Sequence, residues 1–203
     1  MGIEMRPTEK SDYPALSRIL DDEWRFSLYS QEKALKLAEY YLVDCINGAN
    51  VSVTMLVDGE PKGLLVLRDM EGDTIDASGD LAEVYSEVKD DPGFSGCQAD
   101  IDNLHEIYER SAERNKSSDW AELRLLIVSK DCKGMGLGKK ILNEARRIAE
   151  SFGKDGVFFY TDTDCNFGFY DHMGAEKVST DDTICAGEEL TVYGYRWIFM
   201  NAP

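Results

Sequence analysis

The sequence predicts a fold of the α/β class, with a central sheet flanked by helices. Residues 121–152 contain an apolar strand, a glycine loop and an amphipathic helix in immediate succession. Elsewhere, short apolar runs of the strand type alternate with segments whose apolar residues repeat at helical spacing. With 203 residues and no long linker or internal repeat, the chain can bury one core, so we expect a single domain over residues 1–203.

The N-terminal part of the chain predicts one strand, two helices and a hairpin. Ser11 or Asp12 can cap the first helix, because both side chains accept hydrogen bonds from a first helical turn. Asp58 and Gly59 lie between two apolar runs and are typical of a hairpin turn. The predicted elements are a strand at residues 3–7, a helix that carries Tyr13 and Leu20, a helix at 31–46, and strands at 51–57 and 63–68.

Residues 70–120 predict a helical insertion before the next strand. Pro92 and Gly93 form a turn between two amphipathic segments, which are either a lid or extra packing at the sheet edge. The apolar positions of these segments are Leu81, Val84, Tyr85 and Val88, followed by Ile101, Leu104, His105, Tyr108 and Ala112. At the end of the chain, a polar stretch after Val178 leads into a long aromatic strand at residues 190–200. The last strands are expected to form an antiparallel pair.

The glycine loop predicts a binding site for an anion. Residues 122–128 form a strand that is polar on one side only, at Glu122 and Arg124. Gly134, Gly136 and Gly138 then leave backbone N–H groups uncovered at the start of an amphipathic helix, and such groups bind anions. The alternative is a strand-to-helix turn without a ligand.

Spacing excludes the two commonest phosphate loops. A P-loop needs a glycine where the chain has Lys133, and Ser or Thr where it has Lys140. A dinucleotide fingerprint that starts at Gly134 or Gly136 would end at Lys139 or Ile141, neither of which is glycine. The loop is therefore of another kind.

Two motifs resemble those of the GNAT acyltransferases. Lys133, Gly136 and Gly138 occupy the key places of the pyrophosphate loop Gln/Arg-x-x-Gly-x-Gly/Ala, with lysine instead of the usual Gln or Arg. Asn166 and Tyr170 match the second motif, Asn-x-x-x-hydrophobic-Tyr-x-x-x-Gly-Phe, in which Ala175 replaces the aromatic residue. The resemblance covers residues 121–178, and the remainder of the chain matches only in its pattern of elements.

The resemblance implies the GNAT fold, a mixed and mostly antiparallel sheet flanked by helices, and acetyl transfer from acetyl-CoA to an amine. It implies that backbone N–H groups of Ile127 and Val128 face the thioester carbonyl where the sheet splays apart. Asn166 either contacts CoA or caps a helix. The residues expected to hold the pyrophosphate are Lys133, Gly134, Met135, Gly136, Leu137, Gly138 and Lys139.

The resemblance also implies an acid and a base. Tyr170, a phenol with a pKa near 10, would give a proton to the leaving thiolate; the alternative is a core aromatic residue. Glu122 lies at the family's position for a base, although it could instead form an ion pair with Arg124 two residues away. Asp162 and Asp164 are competing sites for amine recognition and are equally well explained as turn residues.

The amino-acid composition limits the classes of binding partner and the cellular compartment that we expect. A net charge of −17 argues against nucleic-acid binding and favours a cationic acceptor, although it could serve solubility alone. Asp21, Asp22, Glu122, Asp162 and Asp164 are the acids expected near the thioester. The N-terminus resembles no signal peptide and no apolar run would span a membrane, so we expect a cytoplasmic protein. Five scattered cysteines predict free thiols and no metal site.

The function that these observations predict is an acetyl-CoA-dependent N-acetyltransferase that acts on a small-molecule or peptide amine in a ternary complex. Two alternatives stay open. One is an acyltransferase for a longer acyl-CoA or an oxygen acceptor, and the other is a non-catalytic CoA-binding sensor or interaction module. A homodimer is also left open.

Overall fold

The computed structural model describes residues 2–69, 71–115 and 117–199, so Met200, the predicted end of the last strand, lies outside the described residues. Seven strands form one sheet in the order β1-β2-β3-β4-β5-β7-β6. Within these described ranges, β4 and β5 pair in parallel and the other strand pairs are antiparallel. The strands are β1 (Ile3–Pro7), β2 (Val51–Val57), β3 (Glu60–Arg68), β4 (Trp120–Val128), β5 (Gly156–Asp162), β6 (Glu176–Cys185) and β7 (Glu188–Ile198).

The helices cover both faces of this sheet. The α-helices in the described residues are α1 (Tyr13–Trp24), α2 (Ala34–Ile46), α3 (Ser78–Val88), α4 (Phe94–Asn115), α5 (Leu137–Ser151) and α6 (Gly168–His172). Apolar residues of α1, α2 and the start of α4 pack with Leu64 and Ile127 in one core. The apolar stripe of α5 packs with Leu123 and Phe159 in a second core on the opposite face.

The predicted insertion forms two helices joined at Pro92 and Gly93. The first, α3, packs on α2, and the second, α4, contacts β6 and β7 as well as α2. Helix α4 therefore covers the end of the sheet on the α2 side, and its inner side faces a cleft that is described below.

The polar stretch after Val178 is part of strand β6, which the sequence analysis did not identify as a strand. β6 lies at one edge of the sheet, opposite β1, and pairs only with β7 among the described residues. Its residues are exposed or only partly buried. An edge strand with little burial needs few apolar residues, so its sequence lacks the pattern of a buried strand.

An extra residue in β4 interrupts the regular register of the sheet. Val66 pairs with Leu125 and Leu67 pairs with Leu123, so Arg124 is the bulged residue of β4. On the other side of β4, parallel pairing with β5 ends at Leu123 and Phe159. The sheet therefore opens between the last parts of β4 and β5, directly after the bulge.

Asp12 precedes α1 but does not cap it through its side chain. It is buried, and its carboxylate accepts hydrogen bonds from both terminal nitrogens of Arg6 (2.7 and 2.8 Å) and from the Thr54 hydroxyl (2.9 Å). Burial alone would raise the pKa of Asp12, but the Arg6 pair and the other donors outweigh it and lower this pKa. Asp12 therefore does not act as the expected cap of α1, and its hydrogen bonds instead connect the start of α1 with β1 and β2.

Replacing Asp12 with asparagine should lower the free energy of unfolding by about 2 kcal/mol at pH 7. Because folding lowers the pKa of Asp12 from about 3.9, its contribution is present above about pH 4 and is lost as pH falls through the folded-state pKa. Urea denaturation at pH 7 and pH 3 should show a difference between the two proteins that shrinks at the lower pH. Glu9→Gln changes an exposed acid 4.0 Å from Arg6 and should have little effect at either pH.

Candidate active site

The opening between β4 and β5 exposes backbone groups of β4. Ser129 N–H donates to the Lys62 carbonyl oxygen of the β3 side (2.8 Å). Since successive peptide groups of a strand point to opposite edges, the N–H of Ile127 also faces β3, and those of Leu126 and Val128 face the opening. Of the predicted pair, Val128 therefore presents its N–H to the opening and Ile127 does not, while Leu126 presents a second N–H there.

The glycine loop lies at the end of this opening. Gly134 and Gly136 have positive φ angles of 83° and 73°, which favour glycine, and α5 begins directly after them at Leu137. The N-cap residue is Gly136, which has no side chain to accept hydrogen bonds from the first turn of α5. The N–H groups of Leu137, Gly138 and Lys139 are therefore available to an external acceptor.

Two lysines give this loop a positive charge. Lys133 and Lys139 are exposed, and neither forms an ion pair with any residue that the structure describes. Two ammonium groups beside a helix N-terminus attract anions. Met135 differs from the other residues expected to bind CoA, because it is 40 % exposed and does not line the cleft.

A cleft of about 1270 Å³ connects the loop, the opening and the insertion. The loop and the first turn of α5 form one end. Leu126 and Val128 lie in its middle part, together with Tyr170 and Asn166. The other end lies between α2, α4 and the turn that joins β6 to β7. The lining of this cleft includes every residue predicted for catalysis or CoA binding except Met135.

Tyr170 is held by α6 with its ring against aromatic neighbours. The ring centroid lies 4.5 Å from that of Phe159 and 5.2 Å from that of Phe169. Its hydroxyl makes no hydrogen bond to the described part of the chain, and the residue lines the cleft. Burial, followed by the nearby Cys165 and Asp162, raises the pKa of Tyr170, so the phenol stays protonated at neutral pH. Tyr170 is therefore both packed and open to the cleft.

Asn166 does not cap α6 through its side chain. The N-cap residue of α6 is Phe167, which has no side-chain capping bond, and the Asn166 backbone carbonyl accepts the Phe169 N–H (3.0 Å). The Asn166 side chain is exposed in the cleft wall. Of the two roles considered for Asn166, its position favours contact with a ligand.

Glu122 forms an ion pair, but its partner is not Arg124, the one considered as an alternative to the base role. Its Oε2 lies 2.6 Å from Nε of Arg68 on β3, and its side chain is 13 % exposed. These two atoms are close without the alignment of a hydrogen bond. Arg124 instead donates to the backbone oxygens of Cys45 (3.2 Å) and Asn47 (2.9 Å) at the end of α2. The alternative of an ion pair with Arg124 is therefore corrected, since the partner of Glu122 is Arg68.

A family model for the acetyltransferase (GNAT) family matches residues 13–175, more than half of the chain. The chain belongs to the GNAT acetyltransferase family. No curated protein sequence matches this GNAT chain.

Solved GNAT structures share the fold at low sequence identity. The ribosomal-protein alanine N-acetyltransferase of Escherichia coli is 10 % identical, with a TM-score of 0.58 over 100 % of this chain and 97 % of its own. The PaiA N-acetyltransferase of Thermoplasma acidophilum, solved with coenzyme A, is 16 % identical, with a TM-score of 0.54 over 98 % of this chain and 100 % of its own. An aminoglycoside 6'-acetyltransferase of type Ii is 13 % identical, with a TM-score of 0.56 over 98 % of this chain and 99 % of its own.

The other acids of this GNAT cleft differ in their surroundings. Asp164 lies 3.2 Å from Arg25, which also contacts Glu188. Asp162 is buried and accepts hydrogen bonds from the backbone N–H groups of Asp164 and Cys165, as expected for a turn residue. Asp21 accepts a hydrogen bond from the Ser27 N–H, and Asp22 is exposed. Neither Asp21 nor Asp22 lines the cleft.

Sequence reasoning missed the aromatic side chains at the far end of the GNAT cleft. Trp24, Tyr41, Tyr108 and Tyr160 line it, from four different elements. Tyr108 belongs to an amphipathic repeat that the sequence shows, but no spacing in the sequence tells which face of α4 meets β5.

None of the helices in the described ranges is both long and apolar enough to cross a membrane. Those ranges also contain no group of three or more His, Cys, Asp or Glu side chains that could hold a metal ion.

Proposed function

We propose that this GNAT protein transfers an acetyl group from acetyl-CoA to a primary amine of a small-molecule or peptide acceptor, by direct attack in a ternary complex. The observation that carries the proposal is the opening between β4 and β5. It presents unpaired backbone donors, with an anion site at one end and the Tyr170 phenol beside it.

The residues of the loop fit the pyrophosphate of CoA. The free N–H groups of the first turn of α5 supply donors, and Lys133 and Lys139 supply positive charge. The edge of β4 at Leu126 and Val128 supplies N–H groups for the amide-bearing arm, as a neighbouring strand would use them. Acetyl-CoA is one of the two substrates and contributes the acetyl group as a thioester.

The same edge of β4 would polarise the thioester. An N–H group of Leu126 or Val128 that donates to the carbonyl oxygen stabilises the negative charge that develops there during attack. Because these N–H groups belong to a strand paired with β3, their direction is set before the substrate arrives. This is the feature that makes backbone donors effective in catalysis.

Tyr170 would give a proton to the leaving thiolate. Burial keeps the phenol protonated, and its hydroxyl has no competing partner in the described residues. The same burial disfavours the phenolate that the transfer leaves behind. We therefore expect proton transfer to accompany release of the thiol rather than to precede it.

Glu122 would take the proton that the amine must lose. The glutamate is four residues before Leu126, which is roughly 13 Å along a strand, so the proton would travel through water. Glu122→Gln should lower kcat by about tenfold at pH 7. The loss should shrink as pH rises, because a larger share of the amine is already neutral and hydroxide replaces the base.

A kcat profile from pH 6 to pH 9.5 measures this effect. A loss that is constant over the whole range would assign Glu122 to a structural pair with Arg68. Arg68→Lys is the companion variant, since it keeps the positive charge at the ion pair but changes its geometry.

A thiol-release assay with acetyl-CoA tests the function as a whole. The acceptor panel contains simple amines, aminoglycosides, polyamines and peptides, and the products are identified by a mass increase of one acetyl group. Acceptor-dependent thiol release is the expected result. CoA binding without release for any acceptor would favour a non-catalytic CoA-binding module.

A further inference from the structure

The carboxylate at the end of β5 is buried without a cationic partner. Asp162 is 7 % exposed, and its oxygens accept hydrogen bonds from the backbone N–H groups of Asp164 (2.9 Å) and Cys165 (3.1 Å) and from the Trp24 indole (3.4 Å). All three donors are neutral. No Lys, Arg or His within the described ranges forms an ion pair with Asp162. Buried carboxylates are normally paired with a cation.

Of the half-buried acids that line the cleft, Asp100 likewise accepts hydrogen bonds only from neutral groups, the Tyr29 hydroxyl and the Ala186 N–H, whereas two others have a cationic partner. Glu122 is paired with Arg68 at 2.6 Å, and Glu23 with Lys130 at 3.1 Å. Even the more exposed Asp164 is 3.2 Å from Arg25. Asp162 therefore combines deep burial with neutral hydrogen-bond donors only, and burial raises the pKa of this carboxyl group, at a position that lines the cleft.

Aromatic rings form two walls beside this carboxylate. Tyr160 lies two residues before Asp162 on the same face of β5, and Tyr108 of the insertion stacks on it at 4.4 Å and 11°. On the other side, Trp24 donates to Asp162 and meets the ring of Tyr41 edge-on at 5.9 Å. Aromatic faces attract cations, and the attraction grows when water is excluded.

Two observations support the proximity of these groups to one another and to the reaction centre. Burial and then the charge of Asp162 raise the pKa of Tyr108, whose hydroxyl makes no hydrogen bond to the described residues. Asp162 also raises the pKa of Tyr170. Because β4 and β5 are parallel, their last residues, Val128 and Asp162, lie at the same edge of the sheet.

We propose that Asp162, with Trp24, Tyr41, Tyr108 and Tyr160 around it, binds the ammonium group of the acceptor. The acceptor class is then a small primary alkylamine or arylalkylamine, whose apolar part lies between the aromatic walls. The inference rests on the proposed acetyl transfer and adds the acceptor class and the residues that select it. The ammonium binds first and loses its proton afterwards.

The insertion has a specific part in this proposal. Tyr108 comes from α4, so the inserted helix completes the aromatic wall that would contact the acceptor. Of the two roles considered for the insertion, a lid and extra packing, the contacts of α4 with β6 and β7 agree with packing, and recognition of the acceptor is added as a third role.

Binding of butylammonium tests the proposal directly, with butanol as a neutral probe of the same shape. Calorimetry is carried out on the full chain, both with and without CoA, at about 0.15 M salt. We expect butylammonium to bind at least tenfold more tightly than butanol. Asp162→Asn should weaken butylammonium binding at least tenfold and leave butanol binding unchanged, since the amide oxygen can still accept the backbone hydrogen bonds.

Asp164→Asn is the matched control, because it makes the same change two residues away at a carboxylate already paired with Arg25. It should alter butylammonium binding less than twofold. Tyr108→Ala should weaken binding at least fivefold and Tyr108→Phe less than twofold, because the ring and not the hydroxyl contacts the ligand. The urea midpoint of each variant shows that it is folded.

Equal binding of butylammonium and butanol would overturn the proposal, as would an unchanged affinity in Asp162→Asn. In either case the buried carboxylate is a turn residue only. CoA affinity and thiol release, measured on the same proteins, test the proposed acetyl transfer independently of the acceptor class. Transfer to a neutral or anionic acceptor, for example, would leave the proposed function intact and refute the acceptor class alone.

Discussion

Tyr170→Phe should lower kcat roughly 100-fold or more while CoA affinity changes little. The variant keeps the ring that packs on Phe159 and Phe169 and removes only the hydroxyl. Because that hydroxyl has no hydrogen-bond partner in the described residues, its loss should not weaken the fold. The measurements are kcat from thiol release at saturating acceptor, the dissociation constant of CoA from calorimetry, and the urea midpoint.

Tyr193→Phe is the control for this variant. Tyr193 belongs to β7 and packs on Phe167 at 5.0 Å, but it does not line the cleft. Its substitution should leave kcat within about twofold, since nothing in the proposed chemistry uses it. Unchanged turnover in Tyr170→Phe would contradict the acid role, or would mean that thiolate release does not limit the rate.

CoA should raise the melting temperature of the protein by about 5–10 °C at a hundredfold excess over its dissociation constant. Gly138→Glu should abolish this shift. A Cβ atom at Gly138 would lie at an ordinary contact distance of 3.4 Å from the Phe169 ring, and a carboxylate in the first turn of a helix favours the helix. The same carboxylate repels the pyrophosphate. The unliganded melting temperature should therefore stay within a few degrees of its original value.

Gly79→Glu introduces the same charge into the first turn of α3, where nothing lies within 4 Å of the new Cβ atom. That variant should keep the full shift with CoA. A valine at Gly136 is a less informative test, because the φ angle of 73° there would strain any other residue. If CoA gives no shift in the unaltered protein, the loop does not bind the pyrophosphate.

The sequence predicted the order of elements because the apolar periodicity is strong where helices and strands are buried. The strand, loop and helix at residues 121–152 correspond to β4 (Trp120–Val128), the turn after it and α5 (Leu137–Ser151). The two helices of the insertion were also predicted correctly. Strand β6 was not identified, since an exposed edge strand does not need the apolar pattern on which the prediction depends.

The side-chain contacts between distant parts of the chain were less predictable from the sequence than the helices and strands. An ion pair of Arg124 with Glu122 was considered as an alternative to the base role, because two such residues on a regular strand share a face. The bulge at Arg124 changes this geometry, and the actual partner, Arg68, lies on the neighbouring strand. The contact of Tyr108 with Tyr160 likewise joins distant parts of the chain. Such contacts depend on the packing of whole elements, which local periodicity does not contain.

The opening of the sheet beside the extra residue in β4 has an energetic cost, and this cost arises during folding, before any ligand binds. After the bulge, residues 126–128 are paired with β3 and unpaired on the β5 side. No strand pair has to break at this edge when CoA binds, and the strand is already ordered there, so the cost of about 1–2 kcal/mol per residue for ordering its backbone is not part of binding at this edge. The native state is preorganised, and association should approach the rate of rigid-body docking, on the order of 10⁶ M⁻¹s⁻¹. The unpaired edge therefore lowers the free energy of unfolding of the protein, and it does not weaken the binding of the ligand.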